Sequence, residues 1–188
     1  PCNIIAEIGC NHKGDLNIAK DLIKLAKQCG AHVAKFQKRN SKELLPKSQY
    51  NSPHPNPVNS YGETYGEHRE KLELSIDDHK LLKEECDLYN VDYSCTPFDL
   101  TSAKQIKELD PAHVKISSFH NNHLELVEYI INEFNSTIHI SLGMTTQKEY
   151  KELISCLKKN GRLKDTVIYW CTSCYPCLPQ NLFLREIL

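Results

Sequence analysis

The stretch NIIAEIGCNHKGDLNIAKDLIKLAKQCGAHVAKFQ, Asn3 to Gln37, decides the fold. It opens with a short apolar run closed by Gly9 and then offers Asp15 as a helix cap. Leu16, Ala19, Leu22, Ile23 and Ala26 follow at i, i+3, i+4 spacing, and Gly30 supplies a stop. A second apolar run, HVAKFQ (His32 to Gln37), comes next. Strand, amphipathic helix and strand in this order form a βαβ unit, which predicts parallel strands joined by a crossover helix.

The same alternation continues to the end of the chain. VDYSCT (Val91–Thr96), HVKIS (His113–Ser117), TIHISLG (Thr137–Gly143) and TVIYWCT (Thr166–Thr172) read as strands three to six. Helices are expected from Ser75 through Leu81, Leu82, Cys86 and Tyr89, from about Asp99 to Leu109, over Leu124–Ile131, and from about Gln147 to Leu157, with a sixth beginning at the end of the chain. Ser75 and Asp78 have the spacing of a capping box. Residues 38–74, with Pro46, Pro53, Pro55 and Pro57 and no sustained period, read as one long loop, a length usually reserved for function.

Six βα units without a GxGxxG or GxxxxGK[ST] phosphate loop point to a (β/α)8 TIM barrel, of which about six units are present. Strands one and six are then expected to be open edges, so that residues 1–188 alone fold poorly or associate. A monomeric, cooperative melt would contradict that.

Composition narrows the function. The 188 residues carry 23 basic and 24 acidic side chains, a formal net charge of −1, which argues against a nucleic-acid binder that needs a basic excess. Hydrophobic residues make up 40% and mean hydropathy is −0.50, ordinary for a soluble α/β chain. No apolar window approaches the ~18 residues of a membrane span, and the start PCNIIAEIGC lacks a basic export region. Nine cysteines, an odd number without an export signal, read as reduced thiols, and a cytoplasmic location is expected. Because the chain begins at Pro1 and not methionine, residues are expected upstream.

Barrel chemistry sits at the carboxyl ends of the strands, and polar residues interrupt the apolar runs there. They are Glu7, Lys35, Gln37, Thr96, Lys115, Ser118, Ser141 and Ser173. An ammonium inside VAKFQ or HVKIS is costly unless an anion accompanies it. Lys35 and Lys115 together therefore suit a dianion such as phosphate, with hydroxyls as neutral donors. The alternative for either lysine is a structural carboxylate partner or escape to the rim. Cys171, Cys174 and Cys177 have a CxxCxxC spacing that could begin an iron–sulfur or zinc site, against ordinary thiols in a turn. His120, His123, His12 and His68 read as solvated turn histidines, and no metal is assigned to them.

The segments IIAEIGCNHKGDLNIAKDLIKLAKQCGAHVAKFQK, TYGEHREKLELS, CTPFD, VKISS, SLGM and CTSCYP, in this order, resemble the N-acetylneuraminate (sialic acid) synthase family over essentially the whole chain. The resemblance implies a transferase of sialic acid biosynthesis that condenses phosphoenolpyruvate with N-acetylmannosamine or a related N-acylated amino sugar. Phosphate is released and a nine-carbon 2-keto acid forms, with manganese or magnesium polarising the aldehyde. It assigns Glu7, Lys35 and Lys115 to catalysis. Lys35, Thr96, Lys115, Ser118 and Ser141 would hold phosphoenolpyruvate, Glu7 and Gln37 would face the sugar or the reacting centre, and Ser173 and Tyr175 would contact substrate. It also implies a homodimer in the full-length form.

The sequence departs from the family pattern at Trp170, where histidine is usual, in SSFHNNH (Ser117–His123), and at Cys174 and Cys177. The family's metal-binding histidines follow strand six, and its C-terminal antifreeze-like domain follows the barrel. Residues 1–188 are therefore expected to be an incomplete N-terminal synthase barrel domain, impaired alone, with no metal ligand of its own. Two other readings remain open from the residues: a Schiff-base aldolase using Lys35 or Lys115, and a non-enzymatic iron–sulfur or zinc module at Cys171, Cys174 and Cys177.

Overall fold

The computed structural model describes residues 2–187. Six parallel strands form one sheet in strictly sequential order: β1 (Ile5–Gly9), β2 (Val33–Lys38), β3 (Asp92–Pro97), β4 (His113–Ile116), β5 (Thr137–Ser141) and β6 (Thr166–Tyr169). Each strand after the first pairs with its predecessor, and β1 to β5 each hand the chain to a helix. This is the winding of a (β/α) barrel of the TIM type, and the described residues form a six-unit arc of it.

Side chains alternate across each strand. Ile8, Phe36, Tyr93, Cys95, Val114, Ile116, Ile138 and Ile140 point outward and are buried under the helices. Helix α1 (Leu16–Gln28) turns Ala19, Ile23 and Ala26 inward; the Asp15 carboxylate caps it by accepting from the Asn17 and Ile18 backbone N–H groups at 2.7 and 3.1 Å.

The expected long loop is instead a string of short helices. They are α2 (Ser41–Leu44), α3 (Lys47–Tyr50), a 3₁₀ turn (Pro57–Asn59) and α4 (Tyr65–Lys71), the last held by a capping box between Thr64 and Glu67. Periodicity missed α4 because YGEHREK has no apolar face to display. Gly14 lets this insertion lie against the barrel: its φ is +78°, and any Cβ there would strike the Lys71 carbonyl oxygen.

Helix α5 (Ile76–Leu88) begins at the expected Ser75–Asp78 capping box. It buries His79, Leu82 and Cys86, whereas Leu81, expected on the inner face, is 40% exposed. Helices α6 (Leu100–Lys107), α7 (Leu124–Glu133) and α8 (Gln147–Lys159) follow the sequence expectation within two residues at each end. Strand β6 ends at Tyr169, three residues early, and the expected sixth helix is a pair of 3₁₀ turns, Pro179–Asn181 and Leu184–Ile187. Trp170 leaves the sheet, its indole N–H donating to the Leu182 carbonyl at 2.9 Å.

Candidate active site

The inward positions of β1 to β6 are polar where barrels of this kind usually carry branched aliphatics. Ile5, Glu7, Lys35, Ser94, Lys115, His139 and Tyr169 line a cavity of about 210 Å³ at the sheet's concave face. Lys35 lies between the Glu7 carboxylate, with which it pairs, and the Thr96 hydroxyl, 3.4 Å away. One carboxylate thus accompanies Lys35 already, which is the structural alternative the sequence left open. Glu7 is itself half exposed to the cavity mouth.

Among the described residues no carboxylate lies within ion-pair distance of Lys115. Its ammonium donates to the Ser141 hydroxyl at 2.5 Å and to its neighbour's carbonyl, Ile116, at 2.9 Å. Burial, then the charge of Lys35, pulls its pKa down from 10.5 to about 8, against smaller opposing effects of Cys171 and Glu7. An anion placed here would reverse that cost by supplying the missing counter-charge.

Beside Lys115, Gly143 follows β5 and its backbone N–H donates to the Ser118 hydroxyl at 3.1 Å. A Cβ on Gly143 would run into the Ser118 and Ser173 hydroxyls, so only glycine lets the two serines meet there. Asn121 holds this corner from α7's entry loop, donating to the Ser141 carbonyl at 2.8 Å and the Thr145 hydroxyl at 2.7 Å. Lys35, Thr96, Glu7, Lys115, Ser141, Ser118 and Ser173 are thereby gathered in two adjoining groups. Tyr175 is not among them: its side chain is 96% exposed.

Gln37 is engaged by a group the sequence did not reveal. Arg39, buried, forms an ion pair with Glu73 at 3.0 Å, donates to Gln37 Oε1 and to the Cys10 sulfur at 3.2 Å, and lies 4.3 Å over the Phe98 ring. Arg39 follows the end of β2 by one residue, and alternation continued from positions 35 and 37 was the available signal for it. Nothing local announces Glu73, which lies 34 residues on.

His12 is buried and not solvated as expected; its Nδ1 accepts from the Gly14 N–H at 3.0 Å, and burial lowers its pKa. His120 is half-buried against Phe98. Among the described residues no three His, Cys, Asp or Glu side chains group as metal ligands. The Cys174 and Cys177 thiols each turn to a nearby carbonyl, Pro176 at 3.3 Å and Leu178 at 3.6 Å, and the CxxCxxC spacing gathers no ligand set among the described residues. The divalent metal implied by resemblance finds no ligand set among them either. A larger hollow of about 490 Å³, lined by Leu142, Met144, Tyr150, Ile168 and Trp170 among others, lies by α8 and holds no cationic side chain.

A parallel arc whose strand ends aim two lysines and several hydroxyls at one mouth has the layout of the (β/α)-barrel class, with a polar site whose residue types suit an anion. The sequence model of the NeuB family matches residues 22–188, and the chain belongs to that family. Over 187 residues it is 33% identical to N-acetylneuraminate-9-phosphate synthase of Homo sapiens, covering 100% of this chain and 51% of that protein. It is 34% identical to N,N'-diacetyllegionaminic acid synthase of Campylobacter jejuni, covering 98% and 55%. The crystal structure of N-acetylneuraminic acid (sialic acid) synthetase from Leptospira borgpetersenii, in complex with citrate, superposes with a TM-score of 0.82 at 28% identity, over all of this chain and 60% of that one. The chain spans about half the length of the curated relatives it matches.

Proposed function

We propose that residues 1–188 are the N-terminal barrel portion of a synthase that joins phosphoenolpyruvate to the open-chain aldehyde of N-acetylmannosamine or a related N-acylated amino sugar. The enol carbon of phosphoenolpyruvate bonds to the aldehyde carbon, whose oxygen takes up a proton. Water adds at C2, and inorganic phosphate departs to leave a nine-carbon 2-keto acid.

The observation that carries this reading is Lys115: a half-buried ammonium with no carboxylate partner among the described residues, beside the Ser141, Ser118 and Ser173 hydroxyls. That set suits the phosphate and carboxylate of phosphoenolpyruvate, with Lys35 and Thr96 completing it. Glu7 and Gln37 stand at the mouth for the sugar or the reacting centre, and Tyr175 contacts substrate from its exposed turn. The proposal includes a divalent metal, manganese or magnesium, held by residues outside those described. It also includes a C-terminal antifreeze-like domain and a homodimer in the full-length form. A cytoplasmic setting is supported by nine free cysteines; no helix is long and apolar enough to cross a membrane.

The test is an assay of the full-length protein with phosphoenolpyruvate, manganese and a panel of N-acylated amino sugars, reading phosphate release and product mass. Turnover with at least one sugar is expected, and no phosphate release with any of them overturns the proposal. The lowered pKa of Lys115 also fits an amine nucleophile. Borohydride with pyruvate separates the two, since a trapped adduct on Lys115 or Lys35 would mean a Schiff-base aldolase.

A further inference from the structure

Below Lys115 a hydrogen-bonded chain crosses three strands. His113 Nδ1 on β4 lies 3.0 Å from His139 Nε2 on β5, and His139 Nδ1 lies 2.7 Å from the Tyr169 hydroxyl on β6. The exposed Asp92 carboxylate on β3 lies 3.5 Å from His113 Nε2, at the start of the chain. A neutral imidazole donates through one ring nitrogen and accepts through the other, so the two bonds of His139 run in one direction.

The chain ends against the anion site. The Tyr169 ring stacks on His139, with centroids 5.8 Å apart and planes 25° apart, and Lys115 Nζ lies 5.6 Å from the Tyr169 centroid. Tyr169 pairs in register with Ser141, the hydroxyl that accepts a hydrogen bond from Lys115. An aliphatic side chain at position 139 would leave the Tyr169 hydroxyl without its partner. Burial, followed by the charges of His113, Lys115 and Lys35, pulls the pKa of His139 to about 4, so the ring is a neutral link near pH 7.

We propose that His139, oriented by His113, is a positioning residue that holds Tyr169 against the Lys115 ammonium and so sets how Lys115 meets its anion. The proposal rests on the reading of Lys115 as a phosphoenolpyruvate contact.

The experiment compares the full-length protein with His139→Val, His139→Gln and Tyr169→Phe. A glutamine can bond both His113 and Tyr169, donating to one and accepting from the other; valine can bond neither. His139→Val is expected to raise the KM for phosphoenolpyruvate about tenfold, the worth of a well-held cation–π contact, with kcat little changed. His139→Gln should recover most of that loss. Nitrogen-15 NMR should show His139 as a single neutral tautomer whose signal is moved by Tyr169→Phe. Mass spectrometry of Lys115 acetylation by acetic anhydride should show a shifted pH midpoint in His139→Val, and in Tyr169→Phe should the valine variant not fold. Unchanged KM and unchanged Lys115 labelling overturn the positioning role while leaving the synthase reading intact. If the wild-type protein does not turn over phosphoenolpyruvate, the synthase reading fails, and tautomers and labelling alone decide whether His139 governs Lys115.

Discussion

The two faces of the sheet are made by the same six strands and obey opposite rules. Outward, Phe36, Cys95, Val114, Ile138 and Ile140 are fully buried, and Phe36 stacks on Tyr93 with centroids 5.8 Å apart. Inward, one residue away along the chain, Lys35, Lys115, His139 and Ser141 keep charge and hydrogen-bonding capacity in a half-open cavity. Apolar contact on the outer face supplies stability. The inner face gives up that contribution and gains a site where an anion has a use, so substitutions on the two faces should separate stability from binding.

The largest separation is expected at adjacent residue types. Phe36→Ala should lower unfolding free energy by about 3–5 kcal/mol, measured by urea denaturation, through lost burial and the cavity left behind. A loss below about 1 kcal/mol would break the comparison. In the full-length protein Lys115→Met should weaken phosphoenolpyruvate binding by about hundredfold or more in calorimetry. Its melting temperature should hold or rise, because a half-buried charge without a carboxylate partner among the described residues is removed. A fall in both would mean that the inner face also carries the fold.

Acid sharpens the contrast. His79 on the outer side is pulled from 6.5 to about 3, chiefly by burial and then by the charges of Lys38 and His12, and it meets the Tyr93 hydroxyl at 2.7 Å. Below pH 6.5 the unfolded chain binds a proton that the folded chain refuses, so stability must fall as pH drops from about 6.5 toward 3. By pH 5 the loss from this residue is roughly 2 kcal/mol. Denaturant midpoints at pH 7 and pH 5 measure it together with the like-signed contribution of His139 on the inner face, and His79→Gln should remove the share that belongs to position 79. Smallest is Ser75→Ala at the α5 cap, expected to cost about 1 kcal/mol with no change in ligand affinity.

The outer face was the legible one. Apolar runs gave the strands, and caps such as Asp15 and Ser75 marked helix starts because those signals are local. Lys35 and Lys115 also stood out, since an ammonium inside an apolar run contradicts its surroundings. What escaped depends on partners far apart in sequence. Glu73 reaches Arg39 across 34 residues, and His113, His139 and Tyr169 meet only when three strands are laid side by side. Helix α4 escaped for a different reason, since only its Thr64–Glu67 cap, and no apolar stripe, distinguishes it from loop.

Sequential strand order has a consequence for synthesis on the ribosome. Each new βα unit finds its partner strand already in place beside it, one unit back in the chain, so no strand waits for one made much later. The sheet can lengthen at a single moving edge, with small loop-closure cost at each addition. Assembly of this arc can therefore keep pace with translation, the most recent strand being the one in need of shelter.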